Sequence, residues 1–238
     1  MILSRCGGAD LVASGAASDG GTGTDSSGTS DGGTTVADGG TTADCILDPT
    51  TTKGPYWVDE RLNRSDIRSD TNAIASPNPR PGLPLTLEFA VSAYASGVCT
   101  PLQGAQVDIW HCDASGIYSN VQGSTAGQNF LRGYQVTDAS GVARFTTIYP
   151  GWYQGRATHI HVEVKVGGAV VKVTQIAFEE SLIAAVYATG VYAAKGRNPT
   201  SNAGDMVFAD SLSSETATIT GGDATSGYSA AFTVGVSI

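Results

Sequence analysis

Basic residues are scarce in this sequence of 238 residues. Lys and Arg number 13 against 22 Asp and Glu, and the formal net charge is −9. A protein that follows nucleic-acid phosphates needs a basic face, so the charge balance excludes that class. Apolar runs are short, and none approaches the stretch of about 18 residues that crosses a bilayer. The length is sufficient for one domain with a sizeable core.

Apolar residues are nearly absent from the first part of the chain. Between Ser14 and Asp44, Val36 is the only apolar residue besides alanine, and Gly, Ser, Thr and Asp dominate. Such a composition cannot offset the entropy lost when a chain is ordered. Residues 1–44 are therefore predicted to be a disordered Gly/Ser/Thr/Asp-rich tether, and residues 45–238 the folded domain.

The first eight residues are too short to be a complete signal peptide. Cys6, followed by two glycines and a polar tether, is typical of a bacterial lipoprotein start that lacks its upstream apolar segment. Arg5 stands where a small residue is expected. The segment is thus either the remnant of a signal or lipoprotein sequence, or a start-site artefact. The first interpretation predicts an exported protein, whether periplasmic, extracellular or lipid-anchored to the cell envelope.

Three cysteines fall in the folded part, and no two of them form a CxxC pair, which makes a zinc site a poor interpretation. In an exported protein, one disulfide and one remaining thiol are more natural. Cys99 precedes a predicted strand that Cys112 ends, so roughly 20 Å would separate them at ~3.3 Å per residue. Cys45 is therefore the expected partner of one of the two. The alternative is three buried, reduced thiols.

Alternating and β-branched runs predict six strands, over residues 83–94, 105–112, 142–149, 159–166, 169–178 and 228–238. Only residues 179–194 have a helical pattern, and Gly190 interrupts it. Residues 137–141 are predicted to form a hairpin turn. Many short strands with frequent turn signals predict an all-β fold. The expected architecture is a β-sandwich with long irregular loops and at most one short helix.

Two of only three histidines stand two residues apart in a predicted strand. Side chains at i and i+2 share a face, so His159 and His161 present their imidazoles side by side, as one metal ion requires. Tyr153 lies six residues before His159, and Tyr118 follows another predicted strand. Phenolate oxygen suits Fe(III), since a strongly charged cation stabilises the ionised form of a phenol. Taken singly, each of these residues is better explained as a surface histidine or a core tyrosine.

Four segments together resemble the intradiol ring-cleavage dioxygenases, which are the catechol and protocatechuate dioxygenases that use non-haem Fe(III). They are residues 107–118, 130–138, 145–153 and 156–161. The resemblance extends from about residue 45 to the end of the chain and implies a catalytic β-sandwich domain. It also implies cleavage of a small catecholic aromatic by O2, with both oxygen atoms entering a cis,cis-muconic acid-type product, as in aromatic catabolism.

The same resemblance assigns roles to single residues. The implied iron ligands are Tyr118, Tyr153, His159 and His161. Tyr153 is the implied catalytic ligand that leaves when the substrate chelates, and Arg156 is implied to stabilise charge that develops on the substrate ring. Pro55, Tyr56 and Gln175 are implied to line the substrate pocket, together with Arg156.

Two features depart from the pattern of the intracellular family members. Only two residues separate Tyr153 from Arg156, where those members have a longer loop, and the N-terminal helical segment that dimerises catechol dioxygenases is missing. A more open site is therefore expected, and the protein is either a monomer or a small homo-oligomer. The tether and the cysteines resemble an exported branch of the family.

Two other classes of protein share part of this sequence pattern. A transthyretin-like module that only binds or spaces shares some of the turn motifs, but it has no reason to keep the four candidate ligands together. A cupin metal site places an acidic residue four or five positions after the HxH pair, whereas Glu163 follows His161 by two. The substituents of the substrate ring are not identified by any cluster of basic residues.

Overall fold

Two β-sheets packed face to face form the core of the computed structural model, which describes residues 49–121, 123–208 and 210–238. The strands are β1 (Pro84–Ala95), β2 (Val98–Pro101), β3 (Gln106–Trp110), β4 (Arg132–Val136), β5 (Val142–Ile148), β6 (His159–Val166), β7 (Ala169–Ala177), β8 (Thr218–Asp223) and β9 (Gly227–Ser237). The helices are α1 (Glu180–Tyr187) and α2 (Leu212–Glu215), with single 3₁₀ turns at Gly190–Tyr192 and Asn202–Gly204.

The first sheet is organised around the long strand β1. One edge of β1 pairs in parallel with β9, which in turn pairs with β8. The other edge pairs in antiparallel fashion with β5 along its first part and with β2 at its end. The second sheet is antiparallel throughout, in the order β4-β3-β6-β7.

The core lies between the inner faces of the two sheets. In β1, buried side chains alternate with more exposed ones, as expected of a strand with one apolar face. In β6, by contrast, the first six residues are all buried. Ile160, Val162 and Val164 belong to the core, whereas His159, His161 and Glu163 point to the opposite face. That outer face is polar in sequence and yet buried in the fold.

A loop covers the outer face of the second sheet. The backbone N–H of Thr51 donates to Val173 O at 2.8 Å, and Gln175 Nε2 donates to Thr52 O at 3.1 Å. Lys53 forms an ion pair with Glu163. The irregular segment that follows residue 49 therefore covers β6 and β7, and it buries the sheet face beneath it.

The all-β sandwich predicted from the sequence is confirmed, and each of the six predicted strands is present with ends that shift by a few residues. Three strands were not predicted: β2, β4 and β8. The sequences of β4 and β8 are polar and contain glycine, so they lack the apolar alternation that marks a strand. The predicted helix ends at Tyr187, before Gly190, whose φ is +49°. The one-turn helix α2 was also not predicted, so the expectation of at most one short helix is wrong.

The prediction of a hairpin at residues 137–141 is wrong. The turn is present, with Asp138 Oδ1 accepting from the N–H groups of Ser140 and Val142. It joins β4 of the second sheet to β5 of the first, so the two strands do not pair with each other. Gly141 has φ +75°, and a Cβ there would lie 2.6 Å from Val91 O. The turn therefore crosses from one layer to the other, and its glycine lies directly against the backbone of β1.

Residues 1–48, on which the predicted tether falls, lie outside the described residues, and so do Cys6 and Cys45. Within the described ranges, no helix has both the length and the apolar character needed to cross a membrane.

Of the two cysteines that the structure describes, one is oxidised and one is free. Cys99 is disulfide-bonded. Cys112 is a buried free thiol, and burial raises its pKa to about 12. The alternative of three reduced thiols is therefore wrong, and so is Cys112 as a bridge partner. The pairing of Cys45 with Cys99 stays a prediction.

Peptide mapping without reductant tests that pairing. We expect a disulfide-linked peptide pair that contains Cys45 and Cys99, and we expect Cys112 to be alkylated only after denaturation, because its thiol is buried and un-ionised. A bridge from Cys99 to Cys6, or alkylation of Cys112 in the native protein, would contradict this prediction.

Candidate metal centre

The two histidines of β6 face each other on the covered side of the second sheet. Their Nε2 atoms lie 3.1 Å apart, and His159 Nε2 is 3.2 Å from the Tyr153 hydroxyl oxygen. His159 Nδ1 lies 2.7 Å from Ala157 O. Because a carbonyl oxygen only accepts, Nδ1 carries the proton, and the Nε2 lone pair is directed towards His161 and Tyr153.

The ring of His161 is held by two neighbours. The Trp110 indole lies parallel to it, with ring centroids 4.9 Å apart, since the two residues are directly paired between β3 and β6. Gly54 of the covering segment has φ +68°, and a Cβ there would lie 3.2 Å from His161 Cε1. A glycine at this position lets the loop approach the imidazole closely. The sequence motif around Gly54 offered no sign of this contact.

Both predicted tyrosines reach the same place. The rings of Tyr118 and Tyr153 are 5.7 Å apart at an angle of 71°. The Tyr118 hydroxyl is buried and, among the residues that the structure describes, meets no partner at hydrogen-bond geometry. Burial raises the pKa of Tyr153 to about 12 and that of Tyr118 well above its usual value. Both phenols are therefore neutral unless a cation stabilises their ionised form.

Close contacts between two backbone segments set the positions of the tyrosines. Gly116 precedes Tyr118 by two residues, has φ +84°, and leaves no room for a Cβ, which would lie 2.1 Å from Trp152 O. Gly151 precedes Tyr153 by two residues and donates from its N–H to Asp113 O at 3.1 Å. A Cβ at Gly151 would lie 2.3 Å from the same oxygen. The two glycines thus bring both tyrosine-bearing loops together.

This donor set fits a single metal ion. Two donors that are each about 2.1 Å from a common ion are about 3 Å apart when they subtend a right angle, close to the spacing seen here. Burial, aided by the positive charge of Arg156, lowers the pKa of His159 to about 3, so the imidazole is in its neutral, ligating form. The orphaned Tyr118 hydroxyl would gain a partner, and two phenolates suit Fe(III).

The cupin-type arrangement does not describe this site. Glu163 forms ion pairs with Lys53 and Lys165, not a shared site with the histidines. Within the described part of the chain, no group of three or more His, Cys, Asp or Glu side chains is placed to hold a metal ion. Any metal held between the histidines therefore depends on tyrosine oxygens for its further protein ligands.

Arg156 lies beside this cluster and is held in place by two side chains. Its Nε donates to Asp205 Oδ2 at 2.8 Å, and its Nη2 donates to Gln175 Oε1 at 2.6 Å. Arg156 and Gln175, which were both expected to line the substrate pocket, are thus in direct contact. Asp205 was not predicted, since it lies in a loop far along the chain with no motif around it. It also accepts the N–H of Ala157 at 2.7 Å.

Of the predicted pocket residues in the covering loop, Tyr56 reaches the tyrosines. The Tyr56 ring is stacked on Tyr118 with centroids 4.6 Å apart, and it meets Tyr153 edge-on at 5.6 Å. Pro55 precedes it and is exposed. Trp57 and Val121 pack against the same cluster. The loop thereby supplies an aromatic, largely apolar wall next to the donor atoms.

A second arginine, which no sequence motif indicated, lies behind Tyr118. Arg132 is buried, and its Nε and Nη2 donate to Ser119 Oγ and O at 2.9 and 2.7 Å. Its guanidinium carbon is 5.9 Å from the Tyr118 ring centroid. Burial lowers its pKa to about 10, and no ion pair to Arg132 is formed by the described residues. Its positive charge favours the ionised form of Tyr118.

The chain matches a known protein family over most of its folded part. A model of the protein family described as "Dioxygenase" matches residues 52–198, which is more than half of the chain. The matched region contains all four candidate ligands. The chain therefore belongs to the intradiol ring-cleavage dioxygenase family that its motifs resemble.

Individual relatives are consistent with this assignment. The structure is similar to an intradiol ring-cleavage dioxygenase from Tetranychus urticae, with 27% identity, a TM-score of 0.72, and coverage of 81% of this chain and 95% of that one. It is also similar to the dioxygenase domain of a dioxygenase carbohydrate-binding protein fusion from Streptomyces sp. SirexAA-E, with 26% identity, a TM-score of 0.58, and coverage of 81% and 99%.

A curated relative matches over a shorter region. Chlorocatechol 1,2-dioxygenase from Rhodococcus opacus is 27% identical in an alignment 99 residues long, which covers 34% of this chain. The chain spans 38% of the length of that relative.

The buried contact between Arg156 and Asp205 predicts a measurable stability difference. We expect Asp205→Asn to lower the free energy of unfolding by about 1–3 kcal/mol, because it leaves a mostly buried guanidinium without its carboxylate. Asp66→Asn is the matched control, since Asp66 also binds an arginine, Arg68, but at the surface. Its loss is expected to stay below about 1 kcal/mol. Urea denaturation measures both variants. Equal losses of unfolding free energy would show that the Arg156–Asp205 contact stabilises the protein no more than a surface ion pair does.

Proposed function

We propose that this protein is a non-haem Fe(III)-dependent dioxygenase that cleaves a catecholic aromatic between its two hydroxylated carbons. Both atoms of O2 enter the product, which is of the cis,cis-muconic acid type. The observation that carries the proposal is that His161 Nε2 and the Tyr153 hydroxyl each lie within 3.2 Å of His159 Nε2, in a cluster that includes the unpartnered hydroxyl of Tyr118.

Iron would be held by Tyr118, Tyr153, His159 and His161. When bound, Fe(III) would act as a Lewis acid and template that accepts the two oxygens of the catechol and draws electron density from its ring. The protein residues around it supply three further functions: they take up protons, stabilise negative charge and exclude water.

Tyr153 is the better candidate for the ligand that leaves and takes a proton. Its ring is only partly buried and lies in a loop that continues into the exposed residues Gln154 and Gly155. Tyr118 is buried beneath the Tyr56 ring and beside the positive charge of Arg132. A catechol hydroxyl that loses its proton therefore has the oxygen of Tyr153 as a nearby acceptor, while Tyr118 stays in place.

Arg156 is placed to stabilise negative charge on the substrate. Asp205 and Gln175 engage its Nε and Nη2, and Nη1 makes no hydrogen bond to the described residues. Because both contacts hold the guanidinium rigidly, its remaining donor costs little reorganisation when charge develops nearby. Tyr56 and Trp57 provide an apolar wall for the ring and limit access of water.

We also propose that the protein is exported. The support is the disulfide at Cys99, since disulfides persist in oxidising compartments and are rare in the cytosol.

Visible absorption of the purified protein tests the metal centre. Two phenolates on Fe(III) are expected to give a broad charge-transfer band, and Tyr118→Phe or Tyr153→Phe should each shift or weaken it by removing one donor. His159→Ala or His161→Ala should lose bound iron, since the remaining ligands no longer close the site. Tyr134→Phe, which removes a phenol outside the cluster, is the matched control and should change nothing.

A non-catalytic binding module predicts a colourless protein that is indifferent to all of these changes. A site that holds Fe(II) or Zn through the histidines alone predicts that the tyrosines can be replaced without loss. The proposed function is wrong if protein expressed with ample iron contains none and takes up no O2 with catechol, protocatechuate or hydroxyquinol.

Replacement of Arg156 separates charge stabilisation from metal binding. Arg156→Ala is expected to keep iron and colour but to lose about 3 kcal/mol of transition-state stabilisation, as for removal of an oxyanion-type donor. Oxygen uptake per bound iron is the measurement. Loss of colour in parallel with activity would instead place Arg156 among the residues that build the metal centre.

A further inference from the structure

A buried charge cluster lies next to the proposed metal centre. Glu163 shares the covered face of β6 with the two histidines, two residues beyond His161, and is fully buried. Lys165 Nζ is 3.0 Å from one carboxylate oxygen of Glu163 and 3.3 Å from Asp108 on β3. The ammonium of Lys53 contacts the other oxygen of Glu163. Neither the catalytic groups nor the predicted pocket residues include this cluster.

Lys53 completes the charge balance of the cluster from outside the sheet. Without it, the carboxylates of Asp108 and Glu163 would face the single ammonium of Lys165. A buried carboxylate is tolerated only when it is paired, so Glu163 favours conformations in which Lys53 is near. The Lys53 side chain is 35% exposed, and it is the one member of the cluster that belongs to the covering loop.

The loop around Lys53 contacts both sides of the proposed site. Gly54 lies against the His161 ring, and Tyr56 is stacked on Tyr118. The Lys53 ammonium also lies 4.1 Å from the centroid of the Trp57 ring, a cation–π contact within the same loop. The position of Lys53 is therefore coupled to the position of the pocket wall.

Side chains, not backbone hydrogen bonds, hold this part of the loop. The last backbone contact before it is Thr52 O with Gln175 Nε2, and the next is Leu62 O with the N–H of Tyr134. For residues 53–59, the described chain shows no backbone hydrogen bond to either sheet. The ion pair with Glu163 is the charged contact that anchors this stretch to β6.

We propose that the Lys53–Glu163 ion pair holds the substrate-facing wall of the site in position, and we call this ion pair the latch. The wall is formed by Gly54, Pro55, Tyr56 and Trp57. Lys53 and Glu163 are thus positioning residues, which act on substrate binding through Tyr56 and do not touch the reacting atoms. This inference rests on the proposed function for its kinetic consequence, but the latch itself is a property of the loop that can be measured without iron.

The central experiment compares Lys53→Met with Lys53→Arg. Lys53→Met keeps much of the apolar stem and removes the charge, and we expect KM for catechol to rise about tenfold, the factor set by loss of one charge-assisted contact. We expect kcat per iron, iron content and the visible band to stay within about twofold of the wild type, since the residue does not touch the metal ligands. Lys53→Arg should restore KM, because it can pair with Glu163.

Arg61→Met is the matched control. Arg61 is a cation further along the covering segment. Its side chain is 85% exposed, and among the described residues it pairs only with Asp59. Loss of its charge changes the net charge of the protein as much as Lys53→Met does. We expect it to leave KM unchanged.

Limited proteolysis with chymotrypsin measures the latch independently of activity. Cleavage after Tyr56 or Trp57 should become faster in Lys53→Met and stay slow in Lys53→Arg and Arg61→Met, because only the first releases the loop. If the wild-type protein holds no iron and turns over no catechol, the proposed function is wrong. The cleavage rates still show whether the ion pair holds the loop.

A double variant tests the pairing itself. In Lys53→Met with Glu163→Gln, KM and cleavage rate should match those of Lys53→Met alone. The first substitution has already broken the ion pair, so loss of the Glu163 charge has no further effect on the loop. Unchanged KM and unchanged cleavage in Lys53→Met would overturn the proposal. So would a fall in kcat or in bound iron with KM unaltered, since Lys53 would then act on the metal centre. Because Lys53 is partly exposed, Lys53→Met is expected to fold, and the single variant tests the proposal even if Glu163→Gln does not fold.

Discussion

The polar face of β6 is buried away from solvent, and the rest of the site depends on that constraint. His159, His161 and Glu163 occupy alternate positions of a strand whose other face belongs to the hydrophobic core. Polar side chains on an outer sheet face are normally in water. Here the segment after residue 49 covers them, so each needs a partner inside the protein. Glu163 has two lysines, and the imidazoles have each other and a phenol.

The same burial determines the electrostatics of the site. It lowers the pKa of the histidines and raises that of the tyrosines, which leaves four neutral donors with converging atoms. Such a group is ready for a cation and unfavourable for an anion. Two arginines oppose that tendency from outside the donor set. Arg132 lies behind Tyr118, and Arg156 is held by Asp205, so positive charge is available where phenolate or substrate charge would form.

Precision in the site comes from glycines and loops more than from the strands. The strand period places the two imidazoles on one face, but the phenols arrive on separate loops. Those loops approach closely because Gly116 and Gly151 have no side chains to separate them. Gly54 allows a third loop to reach His161 in the same way. A Cβ at Gly116 or Gly151 would meet backbone atoms of the facing loop, so a larger residue there would displace a tyrosine donor.

The sequence by itself determined the sandwich class and the side-by-side histidines, because both follow from a two-residue period that each strand carries locally. The resemblance of its motifs added Tyr118, Tyr153, Arg156 and Gln175, and the structure brings these together. Only the tertiary structure decided that residues 137–141 cross between sheets, that Cys112 is unpaired, and that Asp205, Arg132 and Lys53 surround the site. These contacts join residues far apart in the chain, and no local pattern records a partner that the fold alone brings near.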